Sequence, residues 1–173
     1  MFGWFESRLN PYPAPEPAAP PQGLFAFCWH YTKPAAPWLA LMSLCSALIA
    51  IGEVALFQFL GNLVDWLASA DRTTFLQTEG RKLFWMGAIV LVGLPGAVAL
   101  GSLVMHQVLL GNYPMIARWL MHRYLLRQGM TFFANEFAGR VATKVMQTSL
   151  AVRETVMKIL DVFVYVVSYF VSM

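Results

Sequence analysis
Residues 37–67 read PWLALMSLCSALIAIGEVALFQFLGNLVDWL. Glu53 and Asp65 are the only charged side chains in the run. Neither the alternation of a half-buried strand nor the stripe of a soluble amphipathic helix interrupts it. A helix needs about 20 apolar residues to cross a hydrocarbon core of roughly 30 Å, so this stretch predicts a spanning helix with length to spare, tilted or projecting beyond the bilayer. Pro37 opens it where a missing N–H costs nothing. Asp65 and Trp66 mark the far interface.

Toward the C-terminus a second apolar helix is predicted over residues 83–127, long enough to continue well outside the membrane. Gly93, Ala97 and Gly101 recur every fourth position and give it one face open to close helix approach. Pro95 is expected to kink it, and Pro114 to do the same lower down, because each removes a backbone hydrogen bond. Toward the N-terminus, residues 24–32 (LFAFCWHYT) are aromatic and too short to span, which predicts an interfacial elbow helix. Residues 1–23 form a proline-rich tail, expected to be an extended, solvated linker. The basic-then-apolar order of a signal peptide is not seen there.

Composition agrees with a membrane class: 58% of residues are hydrophobic and 12% charged, against about a quarter charged in soluble domains. The net charge of +3 is too small to argue for a nucleic-acid partner. Its distribution is more telling. Arg118, Arg123, Arg127, Arg140, Lys144, Arg153 and Lys158 face only Glu136 and Glu154, which makes that region cytoplasmic under the positive-inside rule. The loop with Asp71, Arg72, Glu79, Arg81 and Lys82 is nearly balanced and fits the outer face. Cys28 and Cys45 have neither disulfide-framework nor metal spacing and read as packing residues. His30, His106 and His122 lack partners at ligand spacing.

Several polar residues fall inside these helices. Gln58, Asn62 and Asp65 form one stripe that must face protein or water. Glu53, near mid-span, points about 140° away from it. An intramembrane carboxylate either serves a function or glues helices through a hydrogen bond, and the sequence leaves both open. Further on, Glu154, Lys158, Asp161, Tyr165 and Ser168 recur at spacings of three and four. Glu154 and Lys158 read as an ion-pair ladder on a solvated extension, while Asp161, Tyr165 and Ser168 are nearer the bilayer.

Residues 118–144 read RWLMHRYLLRQGMTFFANEFAGRVATK, a basic helix interrupted and then resumed. Asn135 is read as a helix N-cap and Gly139 as its C-terminal residue, enclosing about one turn. Phe132, Phe133 and Phe137 then form an aromatic knob outside the membrane, which implies a partner surface.

At YLLRQ (124–128), FFANEFAGRV (132–141) and VMQT (145–148) the chain resembles the first intracellular loop of exporter-type ABC transporters of the bacterial lipid and multidrug kind. The order of elbow helix, first span, short outer loop and long second helix is similar over residues 24–173. The resemblance implies an all-α membrane fold: part of a transporter transmembrane domain, with a coupling helix at about 132–139 and a third spanning helix beginning at 140. Phe132, Phe133, Asn135, Glu136, Phe137 and Gly139 would dock on a nucleotide-binding domain. Glu53, Asp161, Tyr165 and Ser168 would line the translocation cavity.

The partners so implied are the lipid bilayer, a nucleotide-binding domain and a second transporter half, in the inner (plasma) membrane with the N-terminus cytoplasmic. ATP and magnesium would belong to the parent's nucleotide-binding domain. The sequence holds no G-x-x-x-x-G-K-[ST] loop to cradle phosphates, so catalytic, cofactor and metal residues are not assigned. Residues 159–173 reach only about 22 Å at 1.5 Å per residue, which makes the third span incomplete and the chain a fragment. The alternative is a stand-alone membrane interaction or scaffold protein.

Overall fold
The computed structural model describes residues 3–14, 19–69 and 75–173, the side chains of residues 6, 66–69, 75–79 and 135 excepted. The proposed far-side marker Trp66, the outer-loop residues Asp71 and Arg72, the Glu79 side chain and tail residues 15–18 therefore lie outside the described parts. Every regular element among the described residues is helical. They are α1 (Gly3–Glu6), α2 (Leu24–Thr32), α3 (Ala36–Ser69), α4 (Phe75–Ala88), α5 (Leu94–Leu103), α6 (Leu110–Leu125), α7 (Met130–Asn135) and α8 (Ala138–Ser172).

Among the described residues, three helical runs are long and apolar enough to cross a membrane: Leu24–Asp65, Gly80–Leu125 and Ala138–Ser172. The chain is an all-α membrane protein. The third run is 35 residues long, and its apolar window of 18 residues has a mean hydropathy of 1.6. Any such window within Ala138–Ser172 reaches back past Ile159.

The elbow runs on into the first span as one helical run, Leu24–Asp65. A single 3-10 turn, Lys33–Ala35, joins α2 to α3, with Pro34 where a helix start leaves the N–H without a partner anyway. Between α4 and α6 the path stays helical through two π turns, Ile89–Gly93 and Val104–Leu109. In the first, the Leu94 N–H bonds back to the Ile89 carbonyl. This widened turn directly precedes Pro95, the residue without an amide hydrogen, so the proline is absorbed by a local change of helix type.

The packing forms two units. The first comprises Met1–Leu41 and Leu103–Leu160. Its core holds Leu39, Val104, Val108, Leu109, Tyr113 and Ile116, all at most 2% exposed. The Tyr113 hydroxyl and Thr32 Oγ1 lie 2.5 Å apart, tying α2 to α6. Arg118 Nε donates to the fully buried Ser149 Oγ at 3.0 Å, tying α6 to α8.

The tail also belongs to this unit, which corrects the solvated-linker reading. Leu9 is buried, and the Tyr12 ring meets Trp119 edge-on at 5.3 Å. Trp119 Nε1 donates to the Pro13 carbonyl, and Arg123 Nη1 to the Ala14 carbonyl, each at 3.2 Å. A proline-rich strand lacks amide hydrogens but keeps its carbonyls, and α6 supplies the donors.

The second unit comprises Met42–Ser102 and Asp161–Met173. Of the three small residues expected to line a contact face, Gly101 does so: a Cβ there would sit 3.2 Å from that of the buried Cys45. At Gly93 a Cβ would meet only Ile89 of the preceding turn. The other close approach is made by Gly52 on α3, where an added Cβ would lie 2.5 Å from Leu94 Cδ2.

Candidate functional site
The link between α6 and α8 is built from backbone outward. After α6, amides of Leu126, Arg127 and Gln128 bond back to His122, Tyr124 and Leu125 and close a turn. Gly129, in extended conformation, caps the start of α7, and Glu136, also extended, ends it. Phe137 then offers its carbonyl to the amides of Arg140 and Val141 and so opens α8.

These bonds correct the expected boundaries. Asn135 is the last residue of the short helix and not its N-cap, and its side chain lies outside the described parts. Gly139 sits in the first turn of α8 with ordinary helical φ, and the reversal is made by Glu136 and Phe137 instead. The helix starts at 130, two residues before the bounds the resemblance implied and six before a start capped by Asn135, because Gly129 takes the extended cap position.

The shifted start divides the aromatic knob. Phe132 turns inward, half-buried, and stacks edge-on with Phe133 at 5.3 Å. Phe133 is 42% exposed and lines a groove with Leu125, Leu126, Val141 and Met146. Phe137 and Met130 stand 82% and 84% exposed. Phe132 is thus partly covered within the chain, and Phe137 stays exposed.

In the second unit, the candidate cavity residues form specific pairs. The Tyr165 hydroxyl donates to Glu53 Oε2 at 2.5 Å, and Ser46 Oγ donates to Asp161 Oδ1. Ser46 and Glu53 lie two turns apart at i and i+7 on α3, Asp161 and Tyr165 one turn apart at i and i+4 on α8, so the two helices are cross-linked by hydrogen bonds at two levels. Ser168, half-buried, follows one turn later. Tyr169, not picked out in the sequence, stacks on Tyr165 at 6.2 Å and lines a cavity with Val54, Phe57 and Gln58. Ser46 was also missed, although its heptad spacing from Glu53 was a usable signal.

The Gln58 and Asn62 stripe lines a cavity of about 670 Å³ with Arg81, Lys82 and Trp85 of α4. Glu154 takes Arg153 Nη2 at 3.0 Å and not the expected Lys158.

An all-α membrane protein with a short exposed aromatic helix between two long helices is the class this geometry defines. The chain is similar to a Haemophilus influenzae protein named an uncharacterized ABC transporter ATP-binding protein, at 42% identity over 172 residues. The similarity covers 99% of this chain and 28% of that relative, so the chain spans little more than a quarter of the relative's length. No protein-family model matches the chain, and no solved structure does.

Proposed function
We propose that the chain is the N-terminal part of the transmembrane domain of an ATP-driven ABC exporter, and that α7 with Phe137 is its coupling element. The observation that carries this reading is an 82% exposed Phe137 at a sharp reversal between two long helices, in a chain 42% identical along nearly its whole length to a protein named as an ABC transporter component. An aromatic side chain presented at a turn in a basic region is suited to a pocket on another domain. In this reading Met130, Phe133, Asn135 and Phe137 contact a nucleotide-binding domain that holds ATP and magnesium. A second transporter half completes the cavity to which Glu53, Asp161, Tyr165 and Ser168 contribute. The membrane is the inner one, with the N-terminus and α7 cytoplasmic.

Replacing Phe137 by Ala in the full-length transporter tests the role. A buried interface aromatic typically carries more than about 1 kcal/mol, so ATP hydrolysis should persist while transport per ATP falls several-fold. Unchanged transport per ATP would contradict docking through Phe137.

A further inference from the structure
Helix α2 has two faces. Phe25 and Trp29, one turn apart, are 89% and 61% exposed, an aromatic surface suited to the headgroup level of a bilayer. On the other side, Phe27 and Tyr31 line a cavity of about 250 Å³ with Tyr124, Phe132, Glu136 and Lys144. That volume lies just below the range of small-molecule sites. It suits a headgroup better than a whole lipid.

One wall of the cavity is chemically unfinished. Glu136 Oε2 is shielded from solvent and has no hydrogen-bond partner among the described residues. Arg140 Nη1 forms a long i,i+4 ion pair with it at 4.0 Å, beyond hydrogen-bond reach, from a side chain 66% exposed, the Glu136 side chain being 30% exposed. A shielded carboxylate oxygen without a donor is costly, more so than a neutral acceptor. The same cavity carries an opposite charge at Lys144 and four aromatic rings whose faces attract cations.

We propose that this cavity binds the headgroup of a phospholipid bearing a primary ammonium, of the phosphatidylethanolamine class. The ammonium donates to Glu136 Oε2 against the aromatic rings, and Lys144 takes the phosphate. The acyl chains leave along the exposed face of α2. A trimethylammonium headgroup offers the cation–π contact but no N–H for Oε2. A headgroup with a net negative charge brings a second anion toward Glu136. The proposal does not depend on the transporter reading.

The test is native mass spectrometry of the purified full-length protein, released from detergent micelles doped with equal mole fractions of phosphatidylethanolamine, phosphatidylcholine or phosphatidylglycerol. One charge-assisted hydrogen bond corresponds to retention of phosphatidylethanolamine about tenfold above phosphatidylcholine, with phosphatidylglycerol lowest. Glu136→Gln keeps the shape and should bring phosphatidylethanolamine down to the phosphatidylcholine level. Lys144→Gln should lower both and leave their ratio intact. Circular dichroism checks that the variants are folded, and the wild-type ratio decides the matter should either variant fail to fold. Equal retention of the first two lipids, a preference for phosphatidylglycerol, or a preference that survives Glu136→Gln in a folded variant would overturn the proposal.

Discussion

Arg153 Nη1 on α8 donates to the Leu110 carbonyl at 3.2 Å, the oxygen that Pro114, four residues on, leaves without its helical partner. Pro114 is buried inside α6, where a freed carbonyl costs stability unless another donor reaches it. The guanidinium also holds Glu154. One side chain thus mends a helix defect and ties α6 to α8.

This predicts a coupling between the two positions. Arg153→Ala should destabilise the protein by about 1–2 kcal/mol, the range of a hydrogen bond to a charged group. In a Pro114→Ala background, which restores the amide donor, the same substitution should cost clearly less. Thermal unfolding of the four proteins in detergent gives the double-mutant cycle. Strict additivity would remove the repair role from Arg153.

The approach of Gly101 to Cys45 gives a distance test. A Cβ at 101 would lie 3.2 Å from that of Cys45, a little inside the usual disulfide separation of about 3.5–4.5 Å. Gly101→Cys should therefore form an intramolecular bridge with Cys45 under mild oxidation, seen as a reduction-sensitive mobility shift on a denaturing gel. A Gly93→Cys substitution should not. Bridging from 93 and not from 101 would place the helices in another register.

The Glu53–Tyr165 pair predicts a rescue. Tyr165→Phe removes the donor to Glu53 Oε2 and should cost about 1–3 kcal/mol, because the carboxyl loses its partner in apolar surroundings. Adding Glu53→Leu should recover most of that loss, as measured by unfolding temperature in detergent. A double variant as unstable as Tyr165→Phe would mean that Glu53 has other partners of equal weight.

Residues 37–67 and the second apolar run carried enough information to state the helical membrane class, because segment length against bilayer thickness is a strong constraint. The pairing of polar residues was only half readable. Glu53 and Tyr165 were singled out separately, yet a sequence gives each helix its own periodicity and not the rotation that brings two of them together. Ser46 was passed over because a serine in an apolar helix is cheap to bury when it bonds within reach, and so leaves no compositional mark. The tail was misread because proline density speaks to missing donors and says nothing about carbonyls that Trp119 and Arg123 satisfy. At the reversal, Asn135 and Gly139 had the residue types of caps, but Gly129, six residues before Asn135, took the N-cap position.

The central claim is that the exposed Phe137 contacts a nucleotide-binding domain, and site-specific photo-crosslinking from position 137 in the full-length protein in membranes measures that contact directly. A photoreactive phenylalanine analogue there should give a crosslink, mapped by mass spectrometry, to an ATP-binding domain of the same or the partner chain. The yield should fall when the neighbouring Phe133 is replaced by Ala. Crosslinks from 137 only to lipid, or only to residues of this chain's own helices, would contradict the account.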